Sequence, residues 1–362
     1  MNKRLTSVIL CVLMLASALP FTVNAVSSDS LIPNENFREY LFENFDTDSD
    51  GKLSKKECNA VKEISIEYTL IDSLEGIEYF PNLEKLSCCY CGLESLDVSK
   101  NTKLIELVCK KNDITSLDVR SNTALVKLHC SRNMIASLDL SRNAALEELY
   151  CSDNLLASLD LSANTALKKL ECNNAYFNKL DLSANTALWY LHCSGGQLVS
   201  LDLKKCTALR DLECFSNQLT SLDVSRNTGL EKIECYTNRL ASLDVSKCSK
   251  LSFLNCWDNN ISELKLNKNI TVLNCSQNRL KNLDISKTKI LTYPYCEEQY
   301  LGLQSGKISV VMTNEQRNNF LKYYGDYYYS NSNVNAYLAA PAVTLKNTAA
   351  GVKLSWEAIN GA

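Results

Sequence analysis

The sequence predicts a solenoid of short stacked turns with a parallel β-sheet along its concave side, and three observations predict it. A phrase of 21 residues, clearest as LVKLHCSRNMIASLDLSRNAA from Leu125 to Ala145, recurs from Leu83 to about Cys296. Its copies open at Leu83, Leu104, Leu125, Leu146, Leu167, Leu188, Leu209, Leu230 and Leu251, and then, after a loss of two residues, at Ile270 and Leu291. Most copies carry a turn signal close to SLD(V/L)SxNT where a longer repeat would have room for a helix. A turn of this length cannot bury its apolar side alone, so the copies must stack.

Within each copy the apolar residues at positions 1, 4, 6 and 11, and those flanking the aspartate of SLDV, are expected to point inward. Position 6 is almost always cysteine: Cys88, Cys109, Cys130, Cys151, Cys172, Cys193, Cys214, Cys235, Cys256, Cys275 and Cys296. On parallel strands about 4.8 Å apart these would form a stacked apolar column. The L-x-x-L-x-L-x-x-N core resembles leucine-rich repeat proteins over well over half the chain. The LxxLxC variant followed by SLD(V/L)SxNT resembles internalin-like secreted or surface proteins of anaerobic Gram-positive bacteria. The resemblance implies a leucine-rich repeat solenoid, poor in helix, with turns or short 3-10 segments on the convex face and a helical N-terminal cap.

Residues 1–25 read as a signal peptide. Lys3 and Arg4 precede an apolar run from Val8 to Leu19, too short to span a bilayer comfortably, and Val23-Asn24-Ala25 suits a cleavage site. No transmembrane segment is expected. Removing two of the 38 basic residues leaves 36 against 41 acidic ones, a formal charge of −5, which argues against a nucleic-acid partner. Seventeen cysteines in an exported chain suggest a disulfide scaffold. Eleven at one inward position suggest instead buried free thiols in an oxygen-poor habitat.

Residues 26–70 form the expected N-terminal cap. Phe37, Tyr40, Leu41 and Phe45 stand at helical spacing behind Asn34, a suitable cap. DTDSDGKLSKKE, residues 46–57, fits D-x-[DN]-x-[DN]-G-x5-E at every required position. Calcium needs hard oxygen ligands, which Asp46, Asp48, Asp50, the Lys52 carbonyl, a water on Ser54 and bidentate Glu57 would supply, with Gly51 allowing the turn. The loop resembles an EF-hand or half a dockerin; the alternative is an acidic turn capped by Ser54. Ile64 to Tyr68 reads as a first strand, and Ile71 to Leu83 as an irregular opening repeat.

Across residues 71–296 the asparagine at position 9 (Asn112, Asn133, Asn154, Asn217, Asn238, Asn259, Asn278) is expected to satisfy backbone groups at a bend. The recurrent aspartate from Asp97 to Asp284 suits side-chain-to-backbone turns better than a metal-binding row. Function is then left to positions 3, 5 and 7 of the concave face. These are charged or small early on (Lys85, Glu106, Lys127, His129, Glu148) and become aromatic later, with Tyr150, Tyr190, His192, Phe215, Tyr236, Phe253 and Trp257 as the candidate partner-binding residues. The competing reading is that these rings merely cover neighbouring side chains. His129 and His192, the two histidines, stand three repeats apart, roughly 14 Å, too far to share a metal. No catalytic constellation is found.

Pro294 occupies an inward leucine position and is expected to end strand pairing. Residues 297–339 are expected to form a C-terminal cap with a strand KISVVM, a capping box at Thr313 to Gln316 and a tyrosine cluster from Tyr323 to Tyr329. Residues 340–362 resemble the opening strands of a fibronectin type III domain, which implies a continuation beyond residue 362; a disordered tail is the alternative. The expectation is a monomeric secreted or cell-surface protein that recognises a protein or glycan partner without catalysis. An accessory region of a larger polysaccharide-degrading enzyme and a structural spacer are the rival readings.

Overall fold

The structure, a computed structural model, describes residues 25–26, 31–289, 293–295, 308–313, 315–316, 344–348 and 351–356. Twelve parallel strands form one sheet. They run from Glu63–Glu67 and Lys85–Cys89 through a three-residue strand in each turn (Glu106–Val108, Lys127–His129 and onward) to Val272–Asn274 and Tyr293–Tyr295. Register follows the sequence period, with Glu106 opposite Lys127 and Lys127 opposite Glu148. Phe253 lies opposite Val272, a step of 19 that absorbs the two-residue loss.

The inward positions are buried as expected: Leu125, Leu128, Cys130, Ile135, Leu138 and Leu140 of one turn are all in the core. The position 6 cysteines from Cys88 to Cys256 form an unbroken buried column of free thiols. Burial pushes their pKa up, to about 12 at Cys130, Cys193 and Cys256, so they stay protonated and unreactive near neutral pH. Cys296 lies outside the described residues.

Two asparagine ladders bind turn to turn. At position 9, Asn133 donates from Nδ2 to the carbonyls of Cys109 (3.0 Å) and Cys130 (2.9 Å) while its Oδ1 accepts from Ile114 N–H (3.1 Å). At position 19, Asn143 donates to the carbonyls of Val119 (3.0 Å) and Asn122 (2.9 Å), but its Oδ1 is buried without a partner, as are those of Asn101, Asn122, Asn164, Asn185 and Asn227. The second ladder therefore needs only a donor. That explains why Cys206 and Cys248 can replace asparagine there, their Sγ reaching Leu182 O (3.7 Å) and Val224 O (3.6 Å). The aspartates close local turns, Asp139 Oδ1 accepting from Ser141 N–H at 3.0 Å and its counterparts doing the same.

The ends are closed differently. Helix α1, Glu35–Phe45, begins at Asn34, which accepts from Phe37 N–H, and buries Phe37 and Leu41 against the first turns. Helix α2, Lys55–Ala60, begins at Ser54 with a capping box to Glu57. Pro294 does not end strand pairing: it lies in Tyr293–Tyr295, opposite Leu273. This strand is the sheet's last among the described residues, an edge where a missing N–H is tolerated. Beyond it, Gln316 donates from Nε2 to Ile285 O (2.7 Å) and Thr288 O (2.9 Å), taking the place of the next ladder asparagine. The strands Thr344–Thr348 and Gly351–Trp356 pair as a hairpin, which adds to the capping strand Ile308–Met312, itself parallel to Asn282–Asp284. An isolated hairpin is marginal in water, and this sheet supplies its partner. The tyrosine cluster from Tyr323 to Tyr329 lies outside the described residues.

Two outcomes test this scaffold. Asn133→Ala orphans three main-chain groups and is expected to lower unfolding free energy by about 2–4 kcal/mol, whereas Asn143→Cys, built like Cys206, should cost less than about 1 kcal/mol in the same urea titration; equal losses would overturn the donor-only account. Dithionitrobenzoate should release one thiol per cysteine in denaturant and far fewer from native protein, and a denatured titre near zero would mean disulfides.

Candidate functional site

Alternation along each short strand decides what reaches the open sheet face: in Lys127–His129 the central leucine is buried and its two neighbours stand outward. Positions 3 and 5 therefore make two columns across the sheet, with position 7 beside them. Every aromatic residue nominated from sequence lies on this face and is half-buried. They fall into separate groups.

Phe215, Tyr236 and Trp257 occupy position 7 of three successive turns. The first two rings stack at 4.3 Å with an interplanar angle of 6°, and Trp257 follows Tyr236 at 6.1 Å, tilted by 51°. Phe253 stands under the Lys232 ammonium at 5.9 Å. Tyr150 sits apart, 5.1 Å from His129 and donating to Glu148 Oε2 at 3.1 Å. His129 and His192 are three strand steps apart, as expected.

Charge on this face is mixed. Around His129 a groove of about 500 Å³ is lined by Lys110, Lys111, Lys127 and Arg132 and also by Glu148, Asp153 and Glu171, with Arg132 paired to Asp153. Burial and the nearby Lys110 and Lys127 push His129 down to about 4, so it is neutral at pH 7. Lys111 lies over the Tyr90 ring at 4.3 Å. Towards the other end Asp211, Glu213 and Glu234 gather around Lys232, which bonds both glutamates. His192 stands among them, with Nε2 3.4 Å from Asp211 and Nδ1 3.2 Å from Glu213 and 2.8 Å from the Tyr190 hydroxyl.

At the N-terminal loop, Asp46, Asp48 and Asp50 bring carboxylate oxygens within 4.8 Å of one another, and Gly51 takes φ +79°. Asp46 and Asp50 accept from Gly51 and Lys52 N–H. Glu57 does not face these carboxylates. Its Oε1 accepts from Thr47 N–H and Oγ1 and its Oε2 from Ser54 N–H, bonds that hold its pKa down to about 2. Local desolvation and then the charge on Asp50 hold the exposed Asp48 above the ordinary aspartate range.

Three features escaped the sequence reading. The His192, Asp211 and Glu213 cluster was readable from the period, since steps of 19 and 21 from position 5 land on the next strand. Position 8 takes a left-handed backbone in turn after turn, for example Lys111 (φ 57°), Arg132 (φ 59°) and Asp153 (φ 56°), with Gly195 in the same place. Its varied residues gave no signal. Position 10 forms an exposed apolar stripe, Met134 (43%), Leu155 (48%) and Tyr176 (58%), visible once the copies are aligned.

No protein-family model and no curated protein matches the chain. Solved structures do. The functional domain of InlJ from Listeria monocytogenes, which includes a cysteine ladder, is similar with a TM-score of 0.61 and 28% identity, over 77% of this chain and 73% of that one. An internalin of Listeria monocytogenes, InlF, is similar at 0.58 and 21% over 74% and 95%. A leucine-rich repeat protein of Leptospira interrogans is similar at 0.50 and 18% over 67% and 81%. The chain is a leucine-rich repeat solenoid similar to bacterial internalins. No described helix is long and apolar enough to cross a membrane.

Proposed function

We propose that this chain is a non-catalytic recognition protein, secreted or displayed on the cell surface, that grips a protein or glycan partner with its sheet face between Tyr150 and Trp257. The observation that carries this is the ledge of Phe215, Tyr236 and Trp257. Three rings at one position of consecutive turns, two of them parallel at 4.3 Å, are held before any partner arrives, so little side-chain entropy remains to be lost on binding. Flat rings suit the faces of sugars as well as apolar side chains. Tyr190 and His192 border the ledge, and the mixed charges of the face would help set a partner's orientation. The signal-like first 25 residues and the likeness to InlJ support an extracellular place.

The loop at residues 46–57 is proposed to hold calcium as a stiffener of the cap. Three carboxylates with oxygens within 4.8 Å of one another suit a hard divalent ion. Asp46, Asp48, Asp50 and the Lys52 carbonyl would hold it. Glu57, which ties Thr47 to Ser54 in this structure, would join them as the carboxylate that closes the loop.

Pull-down and glycan-array binding should fall about 100-fold or more in a Tyr236→Ala, Trp257→Ala double variant; binding that survives both changes removes the ledge as the site, and no binding by the unaltered protein favours a spacer. Calcium should raise the melting midpoint above that in chelator, and Asp48→Asn should abolish the difference. An unchanged midpoint in the unaltered protein would refute the calcium site.

A further inference from the structure

Three side chains on adjacent strands of the sheet face carry chemistry that partner recognition does not require. His192 ends the strand Tyr190–His192, and Asp211 and Glu213 stand on the next strand, directly opposite Tyr190 and His192. One imidazole nitrogen and one oxygen from each carboxylate lie within 4.8 Å of one another. We propose that His192, Asp211 and Glu213 form a binding site for a divalent transition-metal ion of the zinc type.

Distance favours an ion over a plain hydrogen bond. His192 Nε2 and Asp211 Oδ1 are 3.4 Å apart. That is long for N–H···O, which centres on about 2.9–3.0 Å. Two ligands on a tetrahedral ion with bonds of about 2.0–2.1 Å are themselves about 3.3 Å apart, so this pair already stands at the separation an ion requires. The third ligand is Glu213, which offers a carboxylate oxygen within 4.8 Å of a ligand atom of each partner; its Oε2 stands 3.2 Å from His192 Nδ1, so the carboxylate has to turn towards Nε2 to complete the set.

The far side of the imidazole is arranged to match. With its proton on Nδ1, where the Tyr190 hydroxyl at 2.8 Å and Glu213 Oε2 at 3.2 Å are both acceptors, His192 is oriented by that nitrogen, and the Tyr190 and His192 rings stack at 3.9 Å. This leaves the Nε2 lone pair facing Asp211. A lone pair against a carboxylate is repulsive until a cation sits between them, and a hydrogen bond on the non-ligating nitrogen is the usual orienting contact for a metal-bound histidine.

Charge balance points the same way. Asp211, Glu213 and Glu234, with Glu171 on the preceding strand, face a single ammonium, Lys232, which bonds Glu213 and Glu234. Lys169 beside them is paired with Glu148 at 2.7 Å. His192 has only 12% of its side chain exposed and Glu213 16%, so uncompensated charge is costly here and a divalent ion relieves it. Nitrogen plus two carboxylate oxygens suits zinc, manganese or cobalt rather than calcium.

The test is calorimetric titration of the full chain, stripped with chelator and held in saturating calcium, with zinc chloride. One equivalent should bind, at least tenfold more weakly in His192→Ala and in Asp211→Asn and unchanged in His129→Ala, whose imidazole lies on the same face outside the cluster. Circular dichroism and the melting midpoint show whether each variant is folded. Cobalt substitution should give a spectrum without a thiolate charge-transfer band, which separates this site from the cysteine column. Absence of zinc uptake, uptake unaffected by His192→Ala in folded protein, or a thiolate band would each overturn the site and leave the cluster as a histidine–carboxylate salt link.

Discussion

Everything in this molecule depends on satisfying main-chain polar groups inside turns too short to satisfy their own. A 21-residue turn has room for a three-residue strand and several bends but no helix, and each bend buries carbonyls and N–H groups away from water. The strand handles only its own share through the sheet. Asparagine handles much of the rest, its amide mimicking a peptide group that reaches one turn back. Because each amide bonds the preceding turn, its energy exists only in the stack, which makes the array cooperative between neighbours rather than around a central core.

The same constraint explains how the array ends. At the start, α1 lays Phe37 and Leu41 over the open apolar end. At the finish the exposed rung is a pair of carbonyls, Ile285 O and Thr288 O, and Gln316 fills it with an amide one methylene longer than asparagine. The Thr313 to Gln316 capping box thus does two jobs. Gln316 Oε1 accepts from Thr313 N–H at 2.8 Å while its Nε2 closes the ladder.

Much of this was legible because the repeat writes each structural role many times over. Eleven cysteines in one column, asparagines at position 9 and aspartates before a serine are read by period alone, and the structure places the described ones as expected. What was not legible depends on direction or on neighbours. The left-handed residue at position 8 is a backbone property carried by lysine, arginine, aspartate or glycine alike. Glu57 fits a ligand pattern and a helix capping box equally well, and sequence cannot choose which bonds it makes. Pro294 was read from its inward position, whereas what decides is that its strand is the sheet's last among the described residues. The His192 cluster joins residues on different strands, so no single copy displays it.

The longest interruption of the position 9 ladder falls beside the turns that carry the His192 cluster. Position 9 is asparagine in most turns but Cys91 in the first turn and Ala175 and Gly196 in two consecutive later ones, and Gly195 occupies the left-handed place beside the last. A Cβ at Gly195 would come within 2.0 Å of Asn174 Oδ1 but 3.6 Å from the Asn174 backbone, so the space a side chain would take there is filled by the Asn174 amide. Asn173 and Asn174 step in with different bonds, to Ser194 N–H and to Asp153. These are the turns that carry Tyr190 and His192 and lead into Asp211, Glu213 and the ring ledge. A repeat under no other demand would keep its asparagine, since the ladder stabilises every turn it passes through. Local rules are broken where a structure serves something besides its own stability, and the breaks here coincide with the polar cluster and with the approach to the rings. The scaffold's regularity is therefore its own background, against which the turns beginning at Leu167 and Leu188 stand out as the stretch where the asparagine ladder is interrupted for two turns running.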